Sequence, residues 1–394
     1  MSQTQATHTD SIEQDSNSGE KDKKAKTRKP AIGIIFAPIG GLLLWASSQV
    51  QEIVIDYSTC AKDAPSEDAG EGFVVMDPKK VTSSFTRANE TIQPPMWKKS
   101  TSNVTVNRGV ELNTTICSIT FNIPEDLKPP VLFYYRLTNF YQNHRRYVKS
   151  LDSDQLKGTA KSAGAIGSGS CDPLRLDKSG KPYYPCGLIA NSLFNDTFHE
   201  PILLNLKSGD APDRSNKTYP MYEKGIAWPS DKALYGPTKY KVGEIAVPPN
   251  WQERWPNGYT DENPPPNLAE DEKFQVWMRT AGLPAFSKLA LRNDNLTMER
   301  GNYQVDIELN FPVTVYGGTK SLVITTTTVM GGKNPFLGIA YVVVGGICVV
   351  LGALFTVTHL IKPRKLGDHT YLTWGDQPTT GMSTGRDIRG VSNA

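Results

Sequence analysis

The chain has 394 residues, 38% of them hydrophobic, and a mean hydropathy of −0.40, so any membrane segment is a small fraction of a mostly water-facing protein. Its formal net charge is only +3, and apart from the flanks of two apolar runs the basic residues are dispersed. That pattern argues against a nucleic-acid partner.

Met1 to Thr27 is built from Ser, Gln, Thr, Asp, Glu and Lys. It has too little apolar surface to offset the entropy of ordering, so residues 1–30 are expected to form a disordered tail. The tail ends in KDKKAKTRK (Lys21 to Lys29), beside an apolar run. A basic stretch in that position reads as a topology flank rather than a nucleic-acid or localisation signal.

The first apolar run, Ala31 to Ala46, is about 24 Å long as a helix, short for a membrane span. A signal peptide would use Ala46-Ser47-Ser48 as its cleavage site, but the long preceding tail and Trp45, placed as an interfacial anchor, oppose it. A core helix leaves the basic flank unexplained. The expectation is an atypically short membrane helix over residues 31–50. Gly33, Ala37 and Gly41 fall four apart on one face and suit helix packing, while Pro38 would kink the helix.

Residues 51–334 read as one β-rich domain. Tyr303, Val305, Ile307, Leu309 and Phe311 alternate with polar residues, which predicts a half-buried strand. Ser321 to Met330 reads as a second strand joined to it through Tyr316-Gly317-Gly318. Cys117 to Ile123 and Val131 to Tyr141 read as another pair joined through Pro124 to Pro130. The Pro-rich stretch Val247 to Asn267 is expected to wrap the sheet as irregular surface, and Ala160 to Ser170 to form a flexible glycine-rich loop.

Four cysteines lie in this domain: Cys60, Cys117, Cys171 and Cys186. In an oxidising compartment they suggest two disulfides with three possible connectivities. Pairing by sequence neighbours would contribute on the order of 4 and 3 kcal/mol through loop entropy. A zinc site is a poor alternative, because there is no CxxC and neither His144 nor His199 is at ligand spacing from a cysteine. Six N-glycosylation sequons, at Asn89, Asn103, Asn113, Asn195, Asn216 and Asn295, all fall between the two apolar runs.

The second run, Phe336 to Ile361, has no Asp, Glu, Lys or Arg and exceeds the roughly 20 residues that cross a bilayer. Residues 335–361 are therefore expected to form a second membrane helix, followed by a tail over 362–394. Gly338, Gly345 and Gly352, spaced by seven, offer a smooth packing face, and Cys348 reads as a small packing residue. Lys21 to Lys29 before the first run and Lys362 to Lys365 after the second outweigh the inner flanks, which puts both termini in the cytoplasm.

No GxSxG, HExxH, P-loop or dinucleotide fingerprint is present. The cluster Asn143-His144-Arg145-Arg146 reads as solvated strand-end polarity rather than acid–base machinery. The apolar runs carry no acidic or basic residue to relay an ion, so the chain alone is not expected to transport. No catalytic residue, metal or cofactor is expected.

Six segments carry a resemblance: YRLTNFYQNHRRYVKS (Tyr135 to Ser150), PCGLIANSLFND (Pro185 to Asp196), GIAWPSD (Gly225 to Asp231), WMRTAGLPAFSKL (Trp277 to Leu289), GNYQVDIELNFPV (Gly301 to Val313) and LGDHTYLTW (Leu366 to Trp374). In order and content the chain resembles the CDC50/Lem3 family from about Gly33 to Trp374. The resemblance implies an accessory, non-catalytic β-subunit of a P4-ATPase phospholipid flippase. Two transmembrane helices would flank a glycosylated, disulfide-linked, sandwich-like antiparallel ectodomain. The implied partners are a P4-type ATPase catalytic subunit, in a heterodimer, and membrane lipids. The implied setting is the endomembrane system or plasma membrane. The DKTGT motif of the catalytic subunit is absent. One departure stands out: family members carry a stretch resembling FxQQxLxAWQP before the first span, whereas here KDKKAKTRKP runs straight into Ala31. A glycosylated receptor or adhesion protein without an ATPase is the alternative reading, and a membrane-anchored hydrolase a third.

Overall fold

The two-residue period of Gly301–Leu309 buries one face and leaves Gln304 and Asp306 of the other half-buried, while the partner strand is buried on both faces from Cys117 to Phe121. Tyr303, Val305 and Ile307 are at most 1% exposed, opposite Phe121, Ile119 and Cys117 of an antiparallel neighbour. This pairing organises a computed structural model that describes residues 35–85, 94–106, 109–204, 216–328 and 331–362. Its strands are β1 (Glu52–Asp56), β2 (Val74–Val75), β3 (Val81–Ser84), β4 (Met96–Val106), β5 (Val110–Ile123) and β6 (Val131–Leu137), then β7 (Thr197–Phe198), β8 (Ile202–Leu203), β9 (Lys217–Thr218), β10 (Phe286–Asn293), β11 (Gly301–Leu309) and β12 (Lys320–Thr326). The helices are α1 (Ile35–Ser48), α2 (Cys60–Asp63), α3 (Arg145–Lys149), α4 (Ser153–Leu156), α5 (Ala163–Gly167), α6 (Leu188–Asn191), α7 (Pro229–Lys232), α8 (Glu272–Met278) and α9 (Phe336–Ile361).

The chain divides into two units. Trp45–Pro335 is the larger. Its strands form two antiparallel sheets, β10-β6-β12-β1-β3 and β2-β4-β5-β11-β8-β9, with β7 also on β11. One core takes Ile53, Phe133 and Leu322 from the first sheet and Ile119, Tyr303 and Ile307 from the second. Phe133 on β6 meets Phe198 on β7 with ring centroids 4.8 Å apart. The domain is thus a two-layer β-sandwich stapled by disulfides Cys60–Cys117 and Cys171–Cys186.

The expected hairpins are not formed. β11 pairs with β5, and β12 pairs with β6, so each expected pair is split between the sheets. The connections Pro124–Pro130 and 310–319 are long enough to cross the roughly 10 Å between layers, where a two-residue turn would have kept both strands in one. β6 also stops at Leu137 rather than Tyr141, because Asn139 adopts a positive φ of 55° and donates from Nδ2 to the Tyr316 carbonyl at 2.6 Å. The glycine-rich stretch is not a flexible loop. Ser162 caps α5 by accepting from the Ala165 amide, and Ile166 is fully buried beside Cys171 and Cys186. The Pro-rich stretch is not surface alone: Trp251, Trp255 and Tyr259 are each 5–6% exposed, and they donate to the carbonyls of Ala190, Pro264 and Tyr184.

At the centre lies a buried charge pair. The Asp196 carboxylate, fully enclosed, takes the Lys320 ammonium at 2.7 Å, the Tyr57 hydroxyl at 3.0 Å and the backbone amides of Asn310 and Phe311 at 2.7 and 2.6 Å. Lys320 Nζ also donates to the Phe311 carbonyl and lies 5.3 Å from the Tyr57 ring centroid. Removing one partner strands the other charge in the core. Lys320→Met is therefore expected to cost about 3–5 kcal/mol. The double variant Asp196→Asn/Lys320→Met should recover part of it, read by denaturant unfolding of the purified full chain.

The second unit holds α9 and the first ten described residues of α1. At about 1.5 Å per residue the 26 residues of α9 span about 39 Å, and its apolar side chains point outward, with Phe336 76% and Leu360 74% exposed. A helix apolar all round and unburied is matched to lipid rather than water. α1 has 14 residues, about 21 Å, and falls short of a span. Residues 1–34, including Gly33 and the basic flank, and residues 363–394 lie outside the described residues.

Candidate functional site

Three features can carry a binding function: the α1–α9 contact, a polar and aromatic surface at α3, α7 and α8, and the sequon-bearing faces. Among the described residues no group of three or more His, Cys, Asp or Glu side chains is arranged to hold a metal.

The contact of α1 with α9 is built on absent side chains. A Cβ at Gly338 would meet Leu44 Cγ at 2.7 Å, one at Gly345 the Ala37 amide nitrogen at 2.9 Å, and one at Gly40 the Val342 amide nitrogen at 2.8 Å. Gly338, Gly345 and Gly352 are the buried residues of α9. On α1 the contacting stripe runs Ala37, Gly40, Leu44. Gly41 has open space around it, so the small position against α9 is one residue from the expected one. Steps of three and four both approximate a 3.6-residue turn, and only the structure selects between them. Phe36 and Tyr341 add a ring contact at 5.1 Å.

In the ectodomain, Asn143 Nδ2 donates to the Gly282 carbonyl at 3.0 Å and the Ala281 amide to Gln142 Oε1 at 2.9 Å, joining the α3 approach to the segment after α8. Arg279 lies 5.4 Å from the Trp228 ring centroid and 3.2 Å from Asp231. Trp228 and Leu283 are 64% and 70% exposed. His144 sits at the N-terminal boundary of α3 without a side-chain capping bond, and His144, Arg145 and Arg146 are exposed, with no paired carboxylate among the described residues, so no acid–base couple forms there.

Asn103 and Asn113 are exposed and directly opposed on β4 and β5, with Asn113 Nδ2 donating to Asn103 Oδ1 at 3.2 Å. Asn216 and Asn295 are exposed. Asn195 is half-buried; its backbone carbonyl accepts from Asn310 and Arg254, and its side-chain oxygen is enclosed. Asn89 lies outside the described residues.

Sequence reasoning missed the His199–Glu308 pair, 109 residues apart, whose Nε2 and Oε1 are 3.0 Å apart. The hydrogen bond to Glu308 raises the His199 pKa above its ordinary 6.5, and the same bond lowers the Glu308 carboxyl below 4.5. The raised histidine stabilises fully below about pH 6.5 and loses that contribution as pH rises through its folded value. The lowered carboxylate stabilises above about pH 4.5 and loses it as pH falls. The pair is strongest between those limits. His199 is half-exposed, so the effect is at most about 1 kcal/mol. His199→Gln is expected to remove a gain of about 1–2 °C in melting temperature that the wild type shows on moving from pH 8 to pH 5.5. An equal gain in both proteins would count against it.

Comparison with known proteins extends the picture. The LEM3 (ligand-effect modulator 3) / CDC50 family pattern matches residues 43–365. The chain is similar to the phospholipid-transporting ATPase accessory subunit CDC50 of Chaetomium thermophilum, 43% identical over 353 residues, covering 88% of this chain and 84% of that one. It is similar to the phospholipid-transporting ATPase accessory subunit CRF1 of Saccharomyces cerevisiae at 41% over 345 residues, 88% and 82% of the two chains. With cell cycle control protein 50A of Bos taurus it shares 36% identity over 338 residues, 83% and 80%.

Proposed function

The chain belongs to the LEM3/CDC50 family, and on that premise we propose that it is the accessory, non-catalytic subunit of a phospholipid-transporting ATPase. The observation that carries this reading is the 43% identity with the Chaetomium thermophilum accessory subunit across most of both chains. The partner is a P4-type ATPase catalytic subunit, joined as a heterodimer. That subunit carries the phosphorylated aspartate and moves the lipid. This chain supports its exit from the endoplasmic reticulum and its transport cycle, and so the delivery of aminophospholipids to the cytoplasmic leaflet.

The finer topology is part of the same proposal. Residues 31–50 and 335–361 are the two membrane helices, residues 51–334 the exoplasmic domain, and residues 1–30 and 362–394 cytoplasmic tails of a protein of the endomembrane system or plasma membrane. Basic residues outside both apolar runs support this orientation. Asn89, Asn103, Asn113, Asn195, Asn216 and Asn295 are the glycan acceptors on that side. The glycine contact of α1 on α9 supports a helix pair that docks as one body against the helices of the ATPase.

Affinity purification of the full chain in mild detergent, read by mass spectrometry, tests the proposal. A large P-type ATPase is the expected companion, and its absence would favour a receptor or adhesion protein. Gly345→Leu pushes a side chain into the Ala37 backbone and is expected to lower ATPase recovery about ten-fold or more. Gly346→Leu, at a neighbouring position with open space, should leave recovery unchanged.

A further inference from the structure

A cleft of about 260 Å³ opens on the ectodomain beside β8, β9 and the start of β11. A water molecule needs about 10–15 Å³ by this measure, so the cleft is far larger than a gap between packed side chains. Two sequons border it: Asn216-Lys217-Thr218 contributes Lys217 and Thr218, and Asn295-Leu296-Thr297 contributes Leu296 and Thr297. Tyr219 and Tyr303 also line it, and their hydroxyls are already committed, each donating at 2.7 Å, to the carbonyls of Leu296 and Glu299. The rings are thereby held in place; both are buried, so they support the cleft from behind and offer little open ring face. Lys217 and Glu299, also lining the cleft, form an exposed ion pair at 2.7 Å. The apolar side chains of Pro220 and Leu296 beside the polar Lys217, Thr218 and Thr297 suit a pyranose, which offers an apolar C–H face and a polar edge.

The sugar need not come from outside. Asn295 is exposed and directly precedes Leu296, and consecutive Cα atoms are about 3.8 Å apart, so a sugar on Asn295 is attached one residue from the cleft lining. The turn is fixed: the amides of Asn295 and Leu296 both donate to Asn293 Oδ1, at 3.0 and 2.9 Å, and the buried Asn293 donates from Nδ2 to the Pro220 carbonyl at 2.6 Å. We propose that this cleft seats the first N-acetylglucosamine of a glycan on Asn295, making that sugar part of the domain wall. The inference rests on the reading that residues 51–334 are exoplasmic and glycosylated. On attachment, Asn295 Nδ2 bonds to the anomeric carbon, the bond from that carbon to the diphosphate of a lipid-linked oligosaccharide donor breaks, and one amide proton is released.

The test uses the full chain made in a eukaryotic secretory host. Peptide N-glycosidase, which must reach the first sugar, is applied to native and denatured protein, and release is followed at each site by glycopeptide mass spectrometry. Native release at Asn295 is expected to be about ten-fold or more slower than at the exposed Asn103 and Asn113, with the difference abolished by denaturation. Tyr219→Leu, which removes the ring and its hydroxyl bond, should speed native release at Asn295 alone. Equal native rates at Asn295 and Asn113 would overturn the seat, as would protection at Asn216 in place of Asn295. A bare Asn295 with glycans elsewhere would refute the seat and leave the exoplasmic reading standing. A chain with no glycan at any sequon would remove the exoplasmic reading itself.

Discussion

The two layers of the ectodomain depend on one enclosed carboxylate. Asp196 precedes β7 of one sheet, while Lys320 opens β12 and Tyr57 follows β1 of the other, so its bonds tie the sheets at a single atom group. The two amides that it also accepts, from Asn310 and Phe311, belong to the segment where the chain leaves β11 and crosses to β12. A buried ion pair is not a cheap source of stability, since desolvation offsets much of its attraction. Its value here is geometric: it fixes where the crossing occurs and therefore which strands become neighbours.

How much of this was legible in the sequence depended on the kind of constraint. α9 was visible because hydrocarbon imposes both a length and an absence of charge. β11 was visible because a strand with one face buried and the other half-buried keeps a two-residue period. The period reveals which face is buried and says nothing about which strand lies alongside, so the pairing of β11 with β5 and of β12 with β6 was lost. Asp196 was hidden within a sequon, where it reads as the variable middle residue, and its lysine lies more than a hundred residues away. His199 and Glu308 share that limitation. The core role of Trp251, Trp255 and Tyr259 was masked by the prolines around them, although three large aromatics in a short polar stretch were a signal.

The two apolar helices carry a different lesson. Their contact is specified by what is missing at Gly338, Gly345 and Gly40, where even one added carbon would collide with the facing helix. The outward faces of α9 remain apolar along its length, which suits both lipid and the helices of another protein. An accessory subunit needs this combination: a pair that holds itself together and still offers an uncharged surface to a partner.

The position of β12 in its sheet carries a consequence for biogenesis. It is the central strand, flanked by β6 and β1, yet it is the last of the twelve to be synthesised. β1 meets it across about 270 residues of sequence, from Glu52 to Thr325. At a translation rate of about 5–20 residues per second, β1 waits roughly 15–50 s and β6 roughly 10–40 s with an edge open. The sandwich cannot close until β12 is made, just before α9, so completion of this domain and synthesis of the last apolar helix fall at almost the same moment.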